Sequence, residues 1–352
     1  MSAPGRVLVY GATGYSGTLA VEALRHLGIA PIVAGRDVAK TERLAAALGA
    51  PYRTARADDP SAVTAMLDDV AVVLNAAGPF SATAEPIADA CLERGAHYLD
   101  LCAEVSVLER LAARHAAARA RGVMLMPAVG FDVVPTDCLA AHLARRVRRA
   151  RALTIAVSRP FFLSPGSAKT LLENVVLGVA RRDGALRPLR LGSVERAFDL
   201  GPHPVACLNV SAADLVTAYH TTGIREITTF VEATPLLRLL PLGPLCAPWL
   251  RTPVGAALGR ALSDVLWGTP PRGADSATWR MACVAEIEDG RGGRARARLT
   301  TPEAYAFTGA TAGAIAARVA RGDVEAGFQT PGRVFGPDLV LGFADVARED
   351  LE

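Results

Sequence analysis

The chain has 352 residues, long for one hydrophobic core and sufficient for two domains. With 51% hydrophobic and 21% charged residues it is not a disordered chain, and a net charge of +3 gives no field for a polyanionic partner such as nucleic acid. The six cysteines (Cys91, Cys102, Cys138, Cys207, Cys246, Cys283) form no CxxC pair, which argues against a zinc site and a disulfide framework and fits a reducing, cytoplasmic setting.

Val7–Tyr10 is an apolar run that reads as a buried strand, and Gly11-Ala12-Thr13-Gly14-Tyr15-Ser16-Gly17 follows it directly. An Ala/Leu-rich helix is predicted from Thr18 to Leu27. Strand, glycine turn and helix N-terminus in that order form the phosphate corner of a dinucleotide fold. Gly11 permits the turn, Gly14 lets the backbone approach a pyrophosphate, and Gly17 lets the helix sit against the strand. Thr13, Tyr15 and Ser16 share that corner. The second strand, Pro31–Gly35, ends at Arg36-Asp37, about 20 residues past the turn, where an acidic residue would hold the ribose hydroxyls of NAD. A guanidinium in first place matches a 2′-phosphate instead, so NADP is expected, with Asp37 either opposing that reading or capping a helix from Val38 to Leu48.

Tyr52–Ala55 reads as a third strand, and Asp58-Asp59-Pro60-Ser61 leads into a short helix over 62–68. Asp58 can face the adenine amino group, or one of the two aspartates can cap that helix. A fourth strand over 71–74 runs into Asn75-Ala76-Ala77-Gly78-Pro79, small residues that leave room for the nicotinamide ribose at a strand's carboxyl end. A helix over 85–94, a fifth strand over 97–100, a long helix over 105–121 and a sixth strand over 123–127 complete the alternation. The fold class is therefore α/β, a Rossmann-type doubly wound parallel sheet, followed by a second α+β domain.

The segments GATGYSG, AGRD, ADDP, VLNAAGPF, HYLDLCAE and GFDVVPTD, in this order, resemble the saccharopine dehydrogenase-like oxidoreductases, nearest to the bacterial trans-acting enoyl reductase branch. The resemblance continues at Ser164–Ser167, at Thr301–Tyr305 and from Gly327 to Gly336. It departs at Ala103, where glycine is usual, and at Val133-Val134, where a serine or other small residue is usual. It implies an NADP(H)-dependent enzyme that moves a hydride to a C=C, C=N or C=O bond, and a last segment that returns to the nucleotide domain. The expected divisions are 1–135, 136–325 and 326–352.

In the second domain a strand is expected over 153–158 and a helix over 167–182. A β-rich region, a Gly-rich hairpin joining 277–287 to 294–300 and a helix over 304–321 follow. Pro235–Leu262 is apolar but broken by prolines and by Arg238, Arg251 and Arg260, so it lacks the ~20 uninterrupted apolar residues of a spanning helix. It suits an apolar or acyl small-molecule substrate, a homodimer interface or plain core.

Three residues are candidates for chemistry. Glu104 follows the fifth strand and can serve as acid or anchor, or start the next helix. Asp132 lies in a Gly-Phe-Asp turn after the sixth strand, where turn formation competes with catalysis. Lys169 can bind a carboxylate or sit on a solvated helix face. No tyrosine has a lysine four residues on, which excludes the Tyr-x-x-x-Lys chemistry of short-chain dehydrogenases, and Pro165–Thr170 lacks the GK[ST] ending of a nucleotide triphosphate loop. A non-catalytic NADP-binding sensor or assembly partner is the competing function.

Overall fold

The computed structural model describes residues 4–158, 178–235, 237–242 and 278–351. The chain divides into two compact units, Met1–Val134 with Tyr305–Val334, and Pro135–Ala304 with Phe335–Glu352.

The first unit is built on a parallel sheet of seven strands. They are β1 (Val7–Tyr10), β2 (Ile32–Gly35), β3 (Tyr52–Thr54), β4 (Val72–Asn75), β5 (His97–Asp100), β6 (Met124–Met126) and a late strand, β15 (Gly327–Phe328). Their order is β15-β6-β5-β4-β1-β2-β3. The chain fills one side of β1 and then the other, so the switch point lies between β1 and β4, where a doubly wound sheet opens a crevice. Strands β1, β2 and β4 are buried at every residue, which is why they read as unbroken apolar runs.

The connecting helices are α1 (Tyr15–His26), α2 (Val38–Leu48), α3 (Pro60–Met66), α4 (Phe80–Arg94), α5 (Val105–Ala112) and α6 (His115–Ala120). The helix expected over 105–121 is thus two helices. Arg114 N–H donates to the Leu111 carbonyl, a tighter turn that breaks the α-helical ladder between α5 and α6.

A helix near the end of the chain, α9 (Ala304–Ala320), belongs to this unit from Tyr305 onward. It lies close on α1: a Cβ on Gly309 would fall 2.6 Å from Leu19 Cβ, and one on Gly313 2.6 Å from Ala23 Cβ. The return to the nucleotide unit therefore begins at Tyr305, well before 326, and the chain leaves again after Val334.

The second unit opens with α7 (Val134–Ala144) and holds a nine-stranded mixed sheet. Its strands are β7 (Ala152–Val157), β8 (Val179–Arg182), β9 (Ala185–Pro188), β10 (Glu195–Phe198), β11 (Val205–Val210), β12 (Glu226–Glu232), β13 (Arg280–Glu288), β14 (Arg294–Pro302) and β16 (Ala347–Leu351). The helix α8 (Asp214–Thr222) precedes β12. The expected hairpin is β13–β14, closed by Asp289, whose Oδ1 accepts from Arg291 N and Gly293 N. The helix expected over 167–182 is corrected where it can be followed: Val179–Arg182 is a strand, paired with β9 across Asp183 (φ 51°) and Gly184 (φ 80°). Two successive positive φ values are what a two-residue Asp-Gly hairpin requires. Residues 167–177 lie outside the described residues, as do Lys169 and most of Pro235–Leu262, of which 237–242 form a short 3-10 turn.

Candidate functional site

The glycine turn supplies the anion corner. Gly11 has φ 81°, and a Cβ there would lie 2.8 Å from Ala77 Cβ and N, so the turn packs tightly on the loop after β4. A Cβ on Gly17 would fall 2.2 Å from the Gly11 carbonyl oxygen, which excludes any other residue where α1 meets the turn. Gly14 differs from both. It is exposed, has an ordinary φ of −78° and would bring a Cβ only to 3.2 Å from Gly11 O. Its missing side chain is explained by what must come near it from outside. Gly14 N–H is spent on Gly11 O (2.9 Å), and α1 starts without a side-chain cap, so its first-turn N–H groups face the turn. Thr13 is exposed; Tyr15 and Ser16 are half-buried, and the Tyr15 ring stacks edge-on to Tyr305 with centroids 5.2 Å apart.

On the β2–β3 side, Arg36 is exposed and joins no ion pair among the described residues. It lies near the Tyr10 hydroxyl: burial raises that group's pKa and the Arg36 charge opposes the rise. Asp37 caps α2 by accepting from Lys40 N at 3.0 Å, so its acidity is spent locally. Asp58 is held by both ends of the Arg56 guanidinium (2.9 and 2.7 Å), and that hydrogen bonding lowers its pKa; Asp59 is the residue that caps α3. Arg56, a second cation beside Tyr10, is a feature that sequence reasoning misses.

On the β4–β5 side, Asn75 is fully buried. Its Oδ1 accepts from Ala77 N (3.0 Å) and its Nδ2 donates to Thr83 Oγ1 and Tyr98 Oη, each at 3.2 Å. Asn75 therefore shapes the loop and does not face the crevice, while Ala76, Ala77 and Pro79 are half-buried and Gly78 exposed.

Four acidic or thiol groups gather at the ends of β5 and β6. Asp100 is fully buried; Oδ1 accepts from Cys102 N (2.9 Å) and Ala128 N (2.8 Å), and Oδ2 from Tyr98 Oη (2.8 Å). Burial pushes its carboxyl up to about 6, against those three hydrogen bonds. Glu104 stands immediately before α5 and is 3% exposed; its Oε1 accepts from Phe80 N (3.3 Å), the first amide of α4. The carboxylate thus serves the N-terminus of a neighbouring helix. Cys102 is buried, and desolvation followed by the charges of Asp100, Glu104 and Asp132 raises its thiol well above the ordinary value.

Solvent reaches Asp132, and among the described residues its carboxylate makes no hydrogen bond or ion pair. The protein around it still desolvates the group enough to raise its pKa to about 6. Its turn is fixed from behind: Phe131 N donates to Thr308 Oγ1 (3.0 Å) on α9, and Val134 N to Gly130 O (2.9 Å). Asp137, by contrast, is buried and accepts from Thr221 Oγ1.

Residues 7–126 match the family model described as the saccharopine dehydrogenase NADP binding domain. The match lies within the first unit of this chain. NADP is the cofactor of such a domain, and an open Gly14 beside an uncapped helix start and an exposed Arg36 suits it. A trans-acting enoyl reductase of Mycobacterium leprae is 33% identical over 221 residues, 56% of this chain and 52% of that protein. A saccharopine dehydrogenase-like oxidoreductase of mouse is 30% identical over 154 residues, 38% of this chain and 36% of that protein. The matched part thus spans about half of these relatives or less. The fold of the whole chain is that of the apo saccharopine dehydrogenase (L-Glu forming) of Saccharomyces cerevisiae, at TM-score 0.66 and 14% identity, covering 99% of this chain and 100% of that one. Among the described residues, no helix is long and apolar enough to cross a membrane and no cluster of His, Cys, Asp and Glu could hold a metal ion.

Proposed function

We propose that the chain is an NADP(H)-dependent oxidoreductase that moves a hydride to the C=C, C=N or C=O bond of an acyl or amino-acid-like small molecule. The enoyl-type reduction is favoured among these, because the mycobacterial relatives carry that name. NADPH supplies the hydride when bound. In this reading the first-turn amides of α1 with Thr13 and Ser16 hold the pyrophosphate, Arg36 takes the 2′-phosphate, Asp58 faces the adenine and Ala76–Pro79 line the nicotinamide ribose. A homodimer in the cytoplasm belongs to the same proposal; the buried free thiols Cys91, Cys102, Cys138, Cys207 and Cys283 support a reducing compartment, and light scattering reads the dimer.

The observation that carries a catalytic reading is Asp132. It is solvent-accessible, makes no bond of its own among the described residues, leaves the carboxyl edge of the sheet and has a pKa raised toward neutrality, which are the properties of a proton donor or substrate anchor. Glu104 is buried and engaged with Phe80 N, so its part is to set the loop that carries half-buried Ala103 beside the crevice. The test is NADPH consumption across a panel of enoyl thioesters, ketones and imines, followed by kinetics of variants on the best substrate. Asp132→Asn is expected to lower kcat by about 10²–10⁴-fold with NADPH affinity unchanged, and Glu104→Gln to lower it by less than about tenfold. Full turnover in Asp132→Asn would return the role to Glu104 or to solvent. No consumption with any of the panel would favour the non-catalytic NADP-binding sensor or assembly partner.

A further inference from the structure

A largely buried hydrogen-bonded chain runs across the ends of β4, β5 and β6. Ala77 N donates to Asn75 Oδ1, and Asn75 Nδ2 donates to Thr83 Oγ1 and to Tyr98 Oη. Thr83 Oγ1 donates back to Ala77 O at 2.6 Å. Tyr98 Oη donates to Asp100 Oδ2, and Asp100 Oδ1 receives Cys102 N and Ala128 N. Asn75, Tyr98 and Asp100 are fully buried, and Thr83 is 8% exposed. The strands themselves do not need this chain, because parallel ladders already join β4 to β5 and β5 to β6. What the chain fixes is the backbone just beyond each strand: Ala77, Cys102 and Ala128. Ala128 is held at φ 59°, a left-handed conformation that an alanine keeps only when its surroundings dictate it.

A buried polar network is costly unless complete, so its presence at three loop roots calls for a function at those loops. The Ala77 loop abuts the Gly11 turn, and the Cys102 loop leads to Glu104. The other half of the sheet edge is built differently. Beside β2 and β3 stand exposed charges, Arg36 and the Arg56–Asp58 pair, with side-chain bonds from Tyr10 Oη to Ala55 O and from Thr41 Oγ1 to Asp37 O. The crevice thus has one end built on buried hydrogen bonds and one end lined by exposed charges.

We infer that Tyr98 and Thr83 are positioning residues for the nicotinamide end of the cofactor: through Asn75 and Asp100 they hold the loops at Ala77, Cys102 and Ala128 in the one arrangement that accepts it. The inference rests on the reading of this crevice as an NADP site with its nicotinamide on the β4–β5 side.

Binding of two ligands to the full-length chain separates this role from plain stability. NADPH spans both ends of the crevice, whereas 2′,5′-ADP occupies only the adenosine and 2′-phosphate end. Tyr98→Phe and Thr83→Val each delete one hydroxyl at nearly constant shape. Each is expected to weaken NADPH binding by about tenfold while 2′,5′-ADP binding stays within about twofold of wild type. Equal loss for both ligands, loss for neither, or variants that fail to fold would assign the network to stability and overturn the inference. Wild type that binds neither ligand would instead remove the cofactor reading on which it stands.

Discussion

At the residue scale, the three glycines of the turn do different work, and substitution can tell them apart. Gly11 is fixed by its φ of 81° and by Ala77 atoms 2.8 Å from a would-be Cβ, and Gly17 by the Gly11 oxygen at 2.2 Å, so replacing either damages the fold. Gly14→Val meets only Gly11 O at 3.2 Å and needs no unusual φ, so the chain should fold and lose NADPH affinity by more than about 100-fold. Arg36→Ala should erase the preference for NADPH over NADH, because it removes the exposed guanidinium that would meet the 2′-phosphate, while Asp37 beside it stays engaged as the cap of α2. Parallel fluorescence titrations of both variants measure this, and an Arg36→Ala protein that still prefers NADPH would move the 2′-phosphate to Arg56.

Asp100 gives the residue scale a pH signature. Its pKa of about 6 in the folded chain lies above the ordinary 3.8, so the folded state binds the extra proton. A raised value means that the stabilising contribution is fully present below 3.8 and is lost as pH climbs through 6. The shift corresponds to stability on the order of 3 kcal/mol between about pH 4 and 7. Half-buried His97, its pKa lowered by desolvation, acts in the opposite sense over part of that window, and Asp132 acts in the same sense as Asp100. The readout is therefore the difference between wild type and Asp100→Asn in thermal unfolding from about pH 4 to 7. That difference should shift in wild type's disfavour as pH rises; parallel curves would show that Asp100 does not titrate in the window.

At the element scale, what can be read from the sequence depends on whether local chemistry decides the structure. Strands β1, β2 and β4 are legible because both sheet faces are covered and the runs are apolar, and α2 because Asp37 and Gly49 bracket it, the latter at φ 60°. NADP is expected from Arg36, and the family model names that cofactor. The β8–β9 hairpin is not legible, since Arg181 and Arg182 look solvent-facing. In the fold Arg181 is 3% exposed, donates to Leu215 O and lies 4.3 Å from the Tyr219 ring centroid, partners that are distant in sequence. Tyr98 and Asp100 escape notice because a polar pair in a strand resembles an ordinary solvated face. The close pairing of α1 with α9 is equally invisible, although Gly309 and Gly313 are its cause. Gly313→Val should force the helices apart and cost about 1–3 kcal/mol, whereas Ala306→Val, at an exposed position of the same helix, should cost well under about 1 kcal/mol. Chemical denaturation of the two variants decides the point, and equal stabilities would mean that α9 is free to shift.

At the scale of the whole molecule, the nucleotide unit is not a continuous stretch of chain. It takes Met1–Val134 and then, after most of the second unit's sheet, Tyr305–Val334. The late piece is integral to it. Phe307, Ala312, Ile315 and Ala316 of α9 are at most 1% exposed, Gly5 N donates to Ala320 O at 2.7 Å, and β15 pairs with β6 at the sheet's edge. Burying a side chain such as Phe307 or Ile315 is worth about 1.5–3 kcal/mol each, so α9 accounts for a large share of a total stability that is typically only about 5–15 kcal/mol. A chain ending at Ala304 keeps every residue of the glycine turn, Arg36, the Asn75 loop, Glu104 and Asp132. It is nevertheless expected to lose NADPH binding, because α1 would lose the helix packed against it and the Asp132 turn would lose Thr308. NADPH titration and near-ultraviolet circular dichroism of the truncated and full chains measure this together. Wild-type affinity in the truncated chain would show that the amino-terminal residues fold alone and that the returning segment is dispensable to the nucleotide site.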